Sequence, residues 1–152
     1  MPTGQGVVKA PGDPSIVPSP LRRDRMDDCP TLIVADDYPE NRKLFRLYLR
    51  KEYQVVDVAT AEEVLERLDD TPIAAALLDL NYQGGMTGFE LIAAIRAHPR
   101  WSALPTVALT AHASPEDRRR CLEAGFDEYL SKPVLRGPML ETVAALLNRV
   151  GA

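Results

Sequence analysis

Asp36, Asp37, Asp79, Thr110 and Lys132 are the side chains of this sequence whose types and positions could do chemistry together. Each stands at or just beyond the end of a short strand-like run: Thr31–Ala35 leads into Asp36-Asp37, Ala74–Leu78 into Asp79, Pro105–Leu109 into Thr110, and Asp127–Ser131 into Lys132. Taken alone, Asp79 reads as a turn residue that closes a strand, a position aspartate favours. In one crevice, three carboxylates would repel one another and resist ionisation unless positive charge compensates them. Lys132 supplies one such charge. Oxygen-only ligation in a partly open site favours a hard divalent ion, magnesium foremost, which keeps waters and accepts phosphate oxygens. A hydroxyl and an ammonium beside a metal-bound carboxylate form a phosphoryl-handling site. Asp79 would be the nucleophile, the cation and Lys132 the charge neutralisers, and Thr110 the hydrogen-bond donor.

The elements needed to gather these residues are legible. Thr31-Leu32-Ile33-Val34-Ala35 and the β-branched Gln54-Val55-Val56-Asp57-Val58 read as strands, and Ala74 to Asn81 as a strand buried on both faces. Pro105–Thr110 and Asp127–Ser131 complete a set of five. Between them run helical patterns. Pro39 to about Glu52 carries Leu44, Phe45, Tyr48 and Leu49 on one face, with Pro39 suited to its first turn. Thr60-Ala61-Glu62-Glu63 and Thr87-Gly88-Phe89-Glu90 are capping boxes that start helices reaching about Asp70 and Ala97. Ser114-Pro115-Glu116-Asp117 starts another, stopped by Gly125. The last begins near Gly137-Pro138 and buries Met139, Val143, Leu146, Leu147 and Val150. Strands separated by helices imply an α/β fold: a doubly wound parallel sheet covered on both faces. Its crevice lies at the carboxyl ends of the strands, where all five polar residues fall.

Composition bounds the function. The chain has 152 residues, room for one ordinary domain and a tail. A net charge of −4, with arginines interleaved with acids as in Arg22-Arg23-Asp24-Arg25, argues against a nucleic-acid binder. No stretch approaches the roughly 20 apolar residues of a membrane span, and no secretory signal opens the chain, so a cytoplasmic address is expected. Cys29 and Cys121 lack metal-ligand spacing and read as reduced structural thiols; His98 and His112 stand too far apart for a zinc site. Residues 1–29, rich in Pro, Gly, Ser and charge, read as a disordered leader before a domain over 30–152.

The segments Val34-Ala35-Asp36-Asp37, Leu77-Leu78-Asp79-Leu80-Asn81, Ala108-Leu109-Thr110-Ala111 and Tyr129-Leu130-Ser131-Lys132-Pro133 resemble the four signatures of response-regulator receiver domains, over about residues 31–150. The resemblance implies a flavodoxin-like sheet of order 2-1-3-4-5. It implies that Asp79 takes a phosphoryl group from a phosphohistidine on a histidine kinase or phosphotransfer protein, with Mg2+ as cofactor. Asp37 would ligate the metal directly, Asp36 largely through water, and the Asn81 backbone carbonyl would complete the set beside Asp79. Thr110 and Tyr129 would form the switch, Asn81 and His112 would tune phosphoryl lifetime, and the Lys132-Pro133 bond would be cis. Output would pass to a protein partner through helix 4, strand 5 and helix 5, whose Arg118, Arg119 and Arg120 read more readily as a solvated face. Nothing in the chain suggests a nucleic-acid or membrane partner.

One departure stands beside Asp79. Gly88 comes nine positions after it, where the family pattern has eight, and the usual Met-Pro pair is missing. The longer Tyr82–Thr87 stretch with Gly84-Gly85 suggests a more mobile loop. Two other readings stand: a receiver cut from a hybrid kinase or multidomain regulator, acting as relay or sink, and a small Mg-dependent phosphatase or hydrolase. A dehalogenase-like hydrolase would need an Asp-x-Asp pair, which Asp36-Asp37-Tyr38-Pro39 does not supply. With the sequence ending soon after the last helix, output is expected through a partner.

Overall fold

The structure, a computed structural model, describes residues 29–112 and 114–151. Apart from Cys29, the expected leader lies outside the described residues. Strands and helices alternate throughout: β1 (Thr31–Ala35), α1 (Pro39–Leu49), β2 (Gln54–Val58), α2 (Ala61–Asp70), β3 (Ala75–Asp79), α3 (Gly88–Ala97), β4 (Thr106–Thr110), α4 (Pro115–Ala124), β5 (Glu128–Ser131) and α5 (Arg136–Gly151). The sheet order is β2-β1-β3-β4-β5, every pair parallel, which is the expected flavodoxin-like arrangement. Strand order reverses between β1 and β3, so the crevice opens at their carboxyl ends.

Period-2 alternation splits the core into two layers. Ile33, Ala35, Leu78 and Ala108 face Val64 of α2, Leu91, Ile92 and Ile95 of α3, and Cys121 of α4. Leu32, Val34, Leu77 and Leu109 face Phe45 and Leu49 of α1 and Met139, Val143 and Leu146 of α5. Every residue of β3 is buried, as a central parallel strand requires.

The caps fall where the pattern places them. The Glu63 amide donates to Thr60 Oγ1 at 3.1 Å while the Thr60 amide donates back to Glu63 Oε1 at 3.2 Å. Thr87 and Glu90 repeat this box at 3.1 and 2.9 Å, and Ser114 Oγ accepts from the Asp117 amide at 3.0 Å. Gly125 ends α4 with φ +122°, open to a residue without a side chain.

Three expectations shift. Helix α1 stops at Leu49 rather than Glu52, because β2 must begin at Gln54 beside Thr31 and residues 50–53 are spent on the turn. Leu44 is 40% exposed: the buried stripe of α1 is Phe45 and Leu49, one turn apart, and Leu44 falls at its margin. Helix α5 starts at Arg136, one residue early, and the burial of Val150 lies outside the description. Both cysteines are free thiols, and no helix among the described residues is long and apolar enough to cross a membrane.

The amino edge of the sheet is tied by one side chain. Arg96 donates to the carbonyls of Gly125, Ser102 and Leu104 at 2.9, 3.1 and 2.7 Å, to Thr106 Oγ1 at 2.8 Å and to Asp127 Oδ2 at 3.1 Å. Arg96→Met is therefore expected to lower the free energy of unfolding by about 2–3 kcal/mol, the cost of stranding several half-buried acceptors. Urea unfolding checks this, with the midpoint falling and the slope unchanged. At the same edge, Arg149 near the end of α5 pairs with Glu128 at the start of β5, 3.5 Å apart.

Candidate functional site

A parallel sheet delivers the last residue of every strand to one edge. Asp36 follows β1, Asp79 and Thr110 end β3 and β4, and Lys132 follows β5. Lys132 Nζ sits 2.8 Å from Asp36 Oδ2 and 3.1 Å from Asp79 Oδ2, bridging the two acids. Asp36 is fully buried, Asp79 is 4% exposed and Thr110 1%. Asp37 is half-buried, and one oxygen from each of Asp36, Asp37 and Asp79 lies within 4.8 Å of the others. Among the described residues this is the only group of acidic, histidine or cysteine side chains gathered closely enough to hold a metal ion.

One ammonium faces three carboxylates, and the electrostatics follow. Burial pushes the Asp79 carboxyl above the usual range, opposed by the Lys132 charge and by the Asn81 amide, which donates to Asp79 Oδ1 at 3.2 Å. Burial works against the Lys132 charge too. The Asp36 hydrogen bond and the charges of Asp79 and Asp36 outweigh it and raise the lysine pKa. The crevice is thus short of positive charge, a donor set of hard oxygens suited to a divalent cation.

The partners of Asp36 come from a direction the motif reading omitted. Pro39 opens α1, and the first turn points Asn41 and Arg42 back at β1. Asn41 Nδ2 donates to both Asp36 oxygens at 3.4 and 3.3 Å, the Tyr38 amide donates to Asp36 Oδ1 at 2.9 Å, and Arg42 Nη1 donates to the Asp36 carbonyl at 2.8 Å. The signal available in advance was that pairing of a proline-started helix with polar residues on its first turn.

Thr110 reaches the same edge with its hydroxyl engaged elsewhere: Oγ1 accepts from the His112 amide at 3.0 Å. The imidazole of His112 is exposed, as is Asn81, while Tyr129 is half-buried against the α2–α3–α4 layer. The Lys132 amide donates to the Thr110 carbonyl at 2.7 Å, and the following bond to Pro133 is cis.

Gly88 has a steric reason to be glycine. A Cβ there would stand 2.5 Å from the Asp79 carbonyl oxygen and 2.6 Å from Leu80 Cα, so α3 backs directly onto the strand end that presents Asp79. The longer loop between them is tied at two points. The Gln83 amide donates to Asp37 Oδ2 at 3.2 Å and the Met86 amide to Glu62 Oε2 at 2.9 Å. Gly84 and Gly85 turn the chain at φ +82° and +72°. Tyr82 packs on the α2–α3–α4 layer with its hydroxyl buried beside the Asp79 backbone. Burial, then the charges of Asp79, Asp36 and Asp37, push its phenol far above the usual range.

This fold and crevice define a class, the phosphoacceptor domains with an acidic pocket at the strand ends. The family model of the response regulator receiver domain matches residues 32–144. A 14.6 kDa uncharacterised protein of the sodA1 3′ region of Leptolyngbya boryana is 41% identical over 104 residues, covering 68% of this chain and 79% of its own length. The sensory/regulatory protein RpfC of Xanthomonas campestris is 34% identical over 118 residues, 76% of this chain and only 16% of RpfC. The receiver domain of the sensor histidine kinase PA1611 of Pseudomonas aeruginosa, solved with a magnesium ion coordinated in its active site cleft, superposes with a TM-score of 0.72. It is 27% identical, and the match covers 79% of this chain and 98% of that one. The chain belongs to the response regulator receiver family. It is a phosphoacceptor module of two-component signalling, and receiver domains are signalling switches rather than classical turnover enzymes.

Proposed function

We propose that Asp79 is the phosphoacceptor. A carboxylate oxygen would attack the phosphorus of a phosphohistidine on a histidine kinase or phosphotransfer protein. The P–N bond breaks and the imidazole leaves with its electron pair. The bridging of Asp36 and Asp79 by Lys132 is the observation that carries this reading, because it holds the nucleophile beside the ammonium that would meet the incoming phosphoryl charge. Magnesium would be held by Asp37, Asp79, the Asn81 backbone carbonyl and, through water, Asp36. It would supply neutralisation of the phosphoryl oxygens. The closeness of the three carboxylates and the magnesium of the PA1611 receiver support that ligand set. The ion pairs of Lys132 would persist, and Asn41 would keep Asp36 oriented.

Signalling would then proceed by exchange at Thr110. Its hydroxyl leaves the His112 amide for a phosphoryl oxygen, and Tyr129 moves into the freed space. Only contacts made differently in the two arrangements can shift their populations. The surface remodelled would be α4, β5 and α5, read by a protein partner in the cytoplasm, with Asn81 and His112 setting how long the phosphoryl group survives. The chain is then a self-dephosphorylating acceptor rather than a turnover enzyme. A relay or sink role inside a longer sensor protein is the second reading. It is favoured by the match to RpfC, of which this chain corresponds to 16%.

Intact-mass measurement after incubation with acetyl phosphate and magnesium tests the proposal. A single phosphoryl adduct is expected, prevented by a chelator. Absence of any adduct from acetyl phosphate and from a phosphorylated phosphotransfer protein would remove the mechanism.

A further inference from the structure

The loop after β3 begins with Asn81, whose amide is bonded to Asp79, and ends at the first turn of α3. Lengthened relative to the receiver pattern, it has more ways to be misplaced. What restrains it is a side chain from another element. Glu62 stands on the first turn of α2 but does not cap that helix, since Thr60 and Glu63 already form the box. Its carboxylate turns outward instead and takes the Met86 amide at 2.9 Å across 24 residues of sequence. Helix α2 is a firm base for this contact, with Ala61, Val64 and Leu68 buried.

Gly85 is shaped to the contact. A Cβ at Gly85 would stand 2.9 Å from Glu62 Oε2 and 3.2 Å from Oε1, whereas one at Gly84 would meet nothing within 4 Å. Both glycines serve the left-handed turn, but only Gly85 also makes room for a carboxylate. The other end of the same segment is tied by Gln83 to Asp37, a member of the acidic cluster. The segment from Gln83 to Met86 is thus strung between the site and α2.

We propose that Glu62 is a positioning residue of the phosphoacceptor site: it latches the lengthened loop to α2 and thereby sets the Asn81 carbonyl and the Asp37 carboxylate for the cation. This rests on the reading of Asp79 and its neighbours as a magnesium-assisted phosphoacceptor, and deepens it. Glu62 touches neither the cation nor the phosphoryl group. Its effect is transmitted through the Met86 amide, and what matters is an acceptor oxygen at that point rather than negative charge.

The test uses the full chain with two readouts, amide hydrogen exchange of Met86 and Gln83 without metal, and magnesium affinity by calorimetry. Glu62→Ala is expected to speed Met86 exchange and to weaken magnesium binding about three- to tenfold, the range of a single ordinary hydrogen bond. Glu62→Gln removes the charge but keeps an acceptor oxygen, and should restore most of both. Gly85→Ala should free the Met86 amide more than Gly84→Ala, which bears only the backbone strain. The proposal falls if Met86 exchange ignores Glu62→Ala, if magnesium affinity is unchanged, or if Glu62→Gln behaves like Glu62→Ala, which would indicate long-range charge. If the unsubstituted chain itself binds no magnesium, the phosphoacceptor reading falls with it. Normal magnesium binding with indifferent Glu62 variants overturns only the latch.

Discussion

Asp79→Asn is expected to abolish the phosphoryl adduct and, in metal-free buffer at neutral pH, to make the protein more stable. The first effect removes the proposed nucleophile, and its two neighbours are committed elsewhere: Asp36 is fully buried and bonded to Asn41, Tyr38 and Lys132, and Asp37 accepts from the Gln83 amide. The second follows from burial. The folded-state pKa of Asp79 is raised above the ordinary 3.8, so its protonated form is favoured by folding. The native state then binds more protons than the unfolded chain. The stability Asp79 contributes is fully present below pH 3.8 and is lost as pH rises through the raised folded value. Asparagine is neutral at every pH and escapes that loss. Thermal unfolding should show a Tm several degrees higher for Asp79→Asn at pH 7, since about 1 kcal/mol moves the Tm of a domain this size by such an amount. The difference should close in acid. Magnesium should raise the Tm of the parent chain and leave the variant nearly unmoved. An adduct surviving the substitution would place the acceptor elsewhere.

Lys132→Met should act in the opposite sense on stability. It leaves Asp36 and Asp79 buried and without their shared cation, a loss of about 3–5 kcal/mol for a pair of this kind. The folded-state pKa of Lys132 is raised above 10.5, so its contribution is complete below that value and lost only as pH rises through the folded value. Across the neutral range the deficit is therefore constant on the lysine side, and the pH dependence of the variant comes from its acids. Without the ammonium, Asp79 loses the positive charge that holds its pKa down, and the variant should regain stability on acidification more steeply than the parent. Magnesium should rescue the variant by a larger Tm increment than it gives the parent, while adduct formation stays slow. Urea unfolding at pH 5 and 7, with and without magnesium, measures all of this. Equal stability of variant and parent at pH 7 would show that the bridge carries little.

What could be read in advance follows from how local each signal is. The apolar run into Asp79, the Thr60 and Thr87 boxes and the Gly125 stop each depend on residues a turn apart, and all are found in place. The sheet edge that gathers Asp36, Asp79, Thr110 and Lys132 follows from alternation alone. Contacts between distant segments were not legible. Glu62 reads as one more acid in a helix start, and only the fold reveals that the loop lies beside it. Asn41 reads as helix surface until α1 is laid against β1. Leu44 failed for a subtler reason: Leu44 with Tyr48 and Phe45 with Leu49 form two stripes one position apart, and packing against α5 selects Phe45 and Leu49. The engagement of Thr110 by its neighbour's amide is a choice between rotamers, which spacing does not encode.

The Arg149–Glu128 pair has an architectural consequence. It sets the far end of α5 at the edge of the sheet where β5 begins, and Thr31 opens β1 at that same edge. Entry and exit of the fold therefore lie on the same edge of the sheet, a strand's length away from the acidic crevice. A domain wired this way can be spliced between other segments like a bead on a string, with both junctions on the edge opposite its acidic crevice.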